Sequence, residues 1–460
     1  MTREQKVAEV FRSTGQPDVT YVERDSGLHE RRLNSYLDEA GQLCLITGPS
    51  KTGKTTLYKR VLAVRGEIPL VVQCTRSKTA ADIWREALSS VNFERVTQLS
   101  KSKTNNFEAG AEVESEASWA WLAKITGKLS LAGSREINEE IVKERILADP
   151  SPDLLIPVLK HTRYVLIIED FHYLEDDQKV HLFQQWKRFI DNEISIVVLG
   201  TSHRAVDIAS SNKDLLGRIG QIDIGQWSAD DLKKICAKGF AFLQTSVGAE
   251  VIDLIVNESV GLPIITQQTC LEMITSRSVL TVKEARKRKL KFDDKAAQSA
   301  LYQVANHRYS QFATYYQTLI RGPREKTRIY KTYEYVLACF TVDPISFDLT
   351  RADIDRRLEK LCRQAGDTKP PAASVNSTLG ALQKFQQTRD FQLLEWRPTE
   401  SKLYIIEPSF LFYVRWRTQK EEEGQLDFFE LLLKGDLLER ISIKIKAMAD
   451  EVEKIGQGDR

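Results

Sequence analysis

Between about residues 20 and 225, short apolar runs alternate with amphipathic stretches. The runs at 43–47, 70–74, 164–168, 194–200 and 221–224 predict strands, and 54–64, 79–91 and 177–191 carry helical spacing. Strands alternating with helices mean crossover units, and so a parallel sheet covered on both faces. Residues 92–150 depart from this pattern. Runs such as Phe107-Glu-Ala-Gly-Ala-Glu-Val-Glu and Lys128-Leu-Ser-Leu-Ala-Gly alternate with period two, which predicts an inserted β-ribbon. Such a ribbon packs either on a neighbouring subunit or, as a surface hairpin, on its own domain.

Beyond the sheet region, 227–273 reads as a small helical domain capped at Ser228 ahead of Asp230 and Asp231. Residues 282–322 read as a charged helical linker. From 327 to 417 the pattern predicts a helix, a polar helix, a Ser-capped helix from about Ser374, and strands at 391–396 and 403–406. An acidic hinge and an amphipathic helix fill 418–460.

With 460 residues, the chain has room for about three domains. Lys and Arg total 66 against 64 Asp and Glu, so a chain-wide polybasic coat is excluded and any nucleic-acid surface must be local. The six cysteines are scattered, with no pair at metal-ligand spacing, which predicts neither zinc site nor disulfide framework and fits a reducing cytoplasm. No signal-peptide pattern or membrane-length apolar run occurs, so a soluble cytoplasmic protein without membrane partners is expected.

The strongest chemical signal is Gly48-Pro49-Ser50-Lys51-Thr52-Gly53-Lys54-Thr55-Thr56, a G-x-x-x-x-G-K-[ST] loop between a predicted strand and helix. Its glycines let main-chain amides turn toward phosphate oxygens, aided by the helix N-terminus. Lys54 is expected on the β and γ phosphates of ATP, and the Thr55 hydroxyl on Mg2+. A second apolar run, 164–168, ends in Glu169-Asp170. There Glu169 would orient the metal and Asp170 would polarise the attacking water, unless the pair is merely an exposed acidic loop. Thr201 and Ser202, after the next strand, are γ-phosphate sensor candidates or simple strand-end caps. Arg218 is either an arginine finger for a neighbouring subunit or a surface ion-pairing residue.

Together these residues, with Gly261-Leu262-Pro263 at a helix start, resemble the signal-transduction (STAND) and origin-recognition branch of the AAA+ ATPases. The resemblance implies an α/β P-loop NTPase sheet domain over 41–225 and a helical lid over 226–281. It implies further an α+β winged helix over 323–417 and a C-terminal helix after it. Residues 17–24 resemble the adenine-covering segment, which makes Tyr21 and Pro263 nucleotide-contact candidates within a 1–40 N-terminal segment and the lid. The chain departs from the family in three places. The acidic pair is Glu-Asp rather than Asp-Glu, the sensor asparagine is missing, and Pro263 stands where motors carry a lid arginine. The departures favour a slow nucleotide switch over a fast motor.

Such a switch implies a homo-oligomer controlling an effector protein, with bacterial defence or mobile-element biology as its setting. The alternative is a DNA-binding initiator or loader. Basic residues Arg286, Lys287, Arg288 and Lys289, with Arg321, Arg324, Lys326, Arg328 and Lys331, could neutralise duplex phosphates or form a solvated helix face. In the winged helix, Lys384, Arg397 and Lys402 are the basic candidates, beside Asn376, Ser377, Thr378 and Gln383. Aromatics across 410–417 serve either as core or as a base-stacking platform. A scaffold that holds nucleotide without hydrolysis is the third class.

Overall fold

The structure, a computed structural model, describes residues 4–91, 148, 150–201, 217–322, 330–389 and 391–417. The expected ribbon at 92–150, apart from residues 148 and 150, lies outside the described residues, as do Ser202, Arg324, Lys326, Arg328 and the tail after 417. Two compact bodies divide the chain: Glu23–Gly48 with Gly53–Gly225, and Met1–Val22 with Pro49–Thr52 and Gln226–Arg460.

The sheet body contains α1 (Leu28–Asp38), β1 (Leu43–Thr47), α2 (Lys54–Arg65), β2 (Ile68–Gln73) and α3 (Ala80–Ser89). It continues through α4 (Pro152–His161), β3 (Tyr164–Glu169), α5 (Asp176–Asp191), β4 (Ile196–Leu199) and β5 (Ile219–Asp223). Its five strands run in the order β2-β3-β4-β1-β5, all parallel, with Leu43 opposite both Ile196 and Ile219. This is the α/β P-loop NTPase fold, with the predicted strands found within two residues at most ends.

Successive side chains of β1 go to opposite faces, as the pleat requires. Leu43 and Leu45 join Trp84, Phe171, Phe183, Trp186 and Phe189 under α3, α4 and α5. Cys44 and Ile46 join Leu33, Leu57, Tyr58, Val61 and Leu62 under α1 and α2. Both faces are therefore dry, which is why the strands read as continuous apolar runs rather than alternating ones. Local signals set the helix ends. Thr79 and Asp82 form a reciprocal cap on α3, and Gly66, at φ +66°, closes α2.

In the second body, α6 (Ala229–Phe242) starts at Ser228, whose hydroxyl accepts from the Asp231 amide as expected. It is followed by β6 (Ser246–Val247), α7 (Ala249–Glu258), α8 (Pro263–Thr275), α9 (Val282–Arg288) and β7 (Lys291–Phe292), with β6 and β7 paired in parallel. The expected linker then folds as α10 (Asp294–Arg308) and α11 (Phe312–Arg321). These helices bury Ala297, Leu301, Val304, Tyr316 and Leu319, so the stretch contributes core as well as charge.

The remainder comprises α12 (Thr332–Thr341), β8 (Asp348–Thr350), α13 (Arg351–Ala365), α14 (Ala372–Gln387), β9 (Leu394–Arg397), β10 (Lys402–Ile405) and α15 (Ser409–Trp416). Its sheet is antiparallel, in the order β8-β10-β9. The three-residue β8 carries too little pattern to be seen in sequence. α14 begins at Ala372, two residues before the expected Ser cap, while Ser374 Oγ lies 3.0 Å from Thr332 Oγ1. The aromatic run forms α15, with Phe410, Phe412 and Trp416 at most 2% exposed, so it is core and no stacking platform. Among the described residues, no helix is long and apolar enough to cross a membrane.

Candidate nucleotide site

β1 and α2 deliver the two ends of the Gly48–Thr56 loop. Gly48 sits at φ +141°, and a Cβ there would lie 2.1 Å from the Ile224 carbonyl oxygen. That backbone region is closed to L side chains, and a carbonyl cannot step aside, so the position demands glycine. Gly53, at φ +103°, turns the chain into α2. Lys54 and Thr55 are then the first two helical residues, where the positive end of the helix dipole favours an anion. Lys54 Nζ donates to the Gly48 carbonyl at 2.8 Å.

The crest Pro49–Thr52 belongs to the second body. Lys51 is left-handed at φ +64°, and Thr52 Oγ1 donates to the Pro49 carbonyl at 2.9 Å. From the same body, Trp227 Nε1 donates to the Thr52 carbonyl at 2.8 Å, and the Trp227 amide donates to Gly261 at 3.1 Å. Gly261, at φ +73°, abuts Gln226 so closely that a Cβ would overlap its Cγ at 2.2 Å. Trp227 was not a sequence candidate; nothing local marks an indole as a loop anchor.

At the carboxyl end of β3, Glu169 Oε1 accepts from Thr55 Oγ1 at 2.8 Å and from Tyr58 Oη at 3.2 Å. The hydroxyl and carboxylate thus converge as the hard oxygen donors that Mg2+ takes alongside phosphates, and the residues fit that ion. Asp170 follows at φ +58° and opens a 3-10 turn, Phe171–Tyr173. Burial, then the neighbouring Glu169 charge, push the Asp170 carboxyl upward against the pull of Lys54. A raised carboxylate is a better proton acceptor, as a general base should be. Burial, with Lys54 and Lys179 adding to it, lowers His172 to about 3, so its ring is neutral. Among the described residues there is no cluster of three or more His, Cys, Asp or Glu able to hold a metal by themselves.

Thr201 follows β4, the strand beside β1; the Gly200 amide donates to the Ile46 carbonyl at 3.0 Å. Arg218 lies at the opposite, amino edge of the sheet, because Leu43 and Ile219 are register partners. It is half-exposed and 3.8 Å from Asp191. The fold therefore does not bring Arg218 to its own chain's loop. Tyr21 lies in the second body, its carbonyl accepting Lys238 Nζ at 2.6 Å, and Pro263 is the first residue of α8.

Among the basic candidates, Arg397 requires correction. It is 8% exposed and paired with Glu395 and Glu400, so it braces the β9–β10 turn and is closed to phosphate. The Arg286 guanidinium stacks on Phe242 and donates twice to its carbonyl, and Arg288 donates to the Arg277 carbonyl. Lys287, Lys289 and Lys384 are exposed, while Lys402 lies 3.3 Å from Asp348.

No family model matches the chain, and no curated protein does. Solved structures similar to it include the Walker-type ATPase PABY2304 of Pyrococcus abyssi, at 15% identity and TM-score 0.47, over 86% of this chain and 100% of that one. Also similar are Cdc6p of Pyrobaculum aerophilum (13%, TM-score 0.40, over 94% and 98%) and the Aeropyrum pernix ORC2 protein (12%, TM-score 0.42, over 94% and 98%). At these values the likenesses add nothing to the strand order and loop geometry, which define the nucleotide-binding fold by themselves.

Proposed function

We propose that this chain is an ATP-binding and ATP-hydrolysing switch of the AAA+ type. The observation that carries the reading is the convergence of Lys54 and Thr55, at the start of α2, with Glu169, whose carboxylate is 2.8 Å from the Thr55 hydroxyl. Lys54 would hold the β and γ phosphates. Thr55 and Glu169 would hold Mg2+, which when bound neutralises phosphate charge. Asp170, raised by burial, would take the proton of the attacking water, and Thr201 would sense the γ phosphate. Arg218, on the far edge and 3.8 Å from Asp191, would reach a γ phosphate only on a second copy of the chain and otherwise serves as a surface ion-pairing residue.

Lys54→Ala should abolish binding of a fluorescent ATP analogue. Asp170→Asn should bind it normally while phosphate release falls by about 10²–10⁴-fold. Unchanged binding in the first variant, or unchanged turnover in the second, would refute the assignments.

For the output of the switch, ATP-dependent engagement of duplex DNA is favoured over control of an effector protein in defence. Helices α12, α13 and α14 with the β8-β10-β9 sheet have the order of a winged helix, in which α14 is the reading helix. α14 exposes Asn376, Ser377, Gly380, Ala381 and Lys384 on one side, and among the described residues nothing stands within 4 Å of a Cβ built at Gly380. That face is small, polar and open, as groove entry requires. Duplex affinity should fall steeply with salt, and Lys287→Ala with Lys384→Ala should lower the slope by about one unit each. Salt-independent or undetectable binding would return the effector reading to first place.

A further inference from the structure

Lys51 is the loop's other lysine, and its charge is committed elsewhere. Its Nζ lies 3.0 Å from Glu407 Oε1 and 3.0 Å from Ser409 Oγ. It also stands 5.4 Å from the centroid of the Tyr309 ring and 5.9 Å from that of Phe312. Beside it, the Ser50 amide donates to the Ile406 carbonyl at 3.3 Å. Ser409 Oγ in turn donates to Glu407 at 2.5 Å, and its residue is fully buried at the start of α15. All these groups belong to the second body. They form a fitted receptor for one ammonium group: a carboxylate, a hydroxyl and two aromatic faces.

We propose that Lys51 and Glu407 form a latch that opposes polyphosphate binding and is released by it. This rests on reading Gly48–Thr56 as the phosphate loop. An arriving triphosphate is drawn to the loop by main-chain amides and two lysines. While Glu407 neutralises Lys51, one of those charges is spent, and a main-chain amide of the crest, that of Ser50, is turned to Ile406 instead of inward. Nucleotide and the 406–409 segment therefore compete for the same crest. Because the coupling is reciprocal, whatever the latch takes from nucleotide affinity, the nucleotide takes from the hold on Glu407. The crest is covalently continuous with Lys54, so the effect needs no messenger beyond the backbone between Gly48 and Gly53.

The test is titration of the full chain with a fluorescent ATP analogue and magnesium. Glu407→Gln keeps the shape of the acceptor but removes its charge, and should tighten binding about fivefold or more. On a Lys51→Met background the same change should shift affinity less than about twofold, since no latch remains to open. Ser409→Ala, which removes the second acceptor, should tighten binding in the same direction by less and serves as the second variant if Glu407→Gln unfolds. Wild-type affinity in both Glu407→Gln and Ser409→Ala would overturn the latch, as would an equal gain with and without Lys51. Wild-type affinity in Lys54→Ala would instead remove the phosphate-loop reading, whatever the other variants do.

Discussion

Tyr58 Oη donates to Glu169 at 3.2 Å, one helical turn beyond Thr55, which donates to the same oxygen at 2.8 Å. Residues three apart on α2 share a face, so the helix that begins at the phosphate loop aims two hydroxyls at the carboxylate of β3. The Tyr58 phenol is driven upward by burial first and by the Glu169 charge second, so it stays a donor throughout the accessible range.

Tyr58→Phe keeps the fully buried ring and removes only the hydroxyl. It should lower stability by about 0.5–1.5 kcal/mol in urea unfolding and raise the magnesium concentration needed for half-maximal phosphate release. An unchanged magnesium requirement would mean that Thr55 alone aligns Glu169.

Gly48→Ala places a methyl against a fixed carbonyl at a forbidden φ. It should cost at least about 1–3 kcal/mol and abolish nucleotide binding. Gly380→Ala is the control: the site is helical and open, so urea unfolding should show a gain of about 0.5–1 kcal/mol. Equal behaviour of the two variants would show that the Gly48 turn is not constrained as described.

His172 predicts a pH signature. Its folded value, about 3, is below the ordinary 6.5, and among the described residues its buried Nδ1 has no hydrogen-bond partner. The unfolded chain thus takes up a proton that the folded chain refuses, and His172 draws stability down as pH falls from about 6.5 toward 3. Urea unfolding at pH 7.5 and pH 5 should show a smaller acid loss in His172→Asn than in the parent. Identical losses would mean that the ring protonates freely in the fold.

Gln386 is fully buried and joins α14 to β9. Its Oε1 accepts the Leu393 and Leu394 amides at 2.8 and 3.0 Å, and its Nε2 donates to the Leu394 carbonyl at 2.7 Å. Gln386→Ala leaves buried main-chain groups unmatched and should cost about 2–4 kcal/mol. The adjacent, exposed Gln387→Ala should stay within about 0.5 kcal/mol, by the same denaturation assay.

The sheet strands, the loop with Lys54 and Thr55, the acidic pair after β3 and the Ser228 cap were legible because each is written within a few consecutive residues. Apolar runs encode a doubly covered sheet, and glycine spacing encodes a turn that only glycine can make. Tertiary structure decided the partners. Glu407 meets Lys51 across 356 positions, Arg397 turns inward because Glu395 and Glu400 flank it, and α10 and α11 become core because other helices cover them. A side chain's charge is a local property, whereas its exposure and its counter-charge depend on which distant segment the packing of the chain brings beside it.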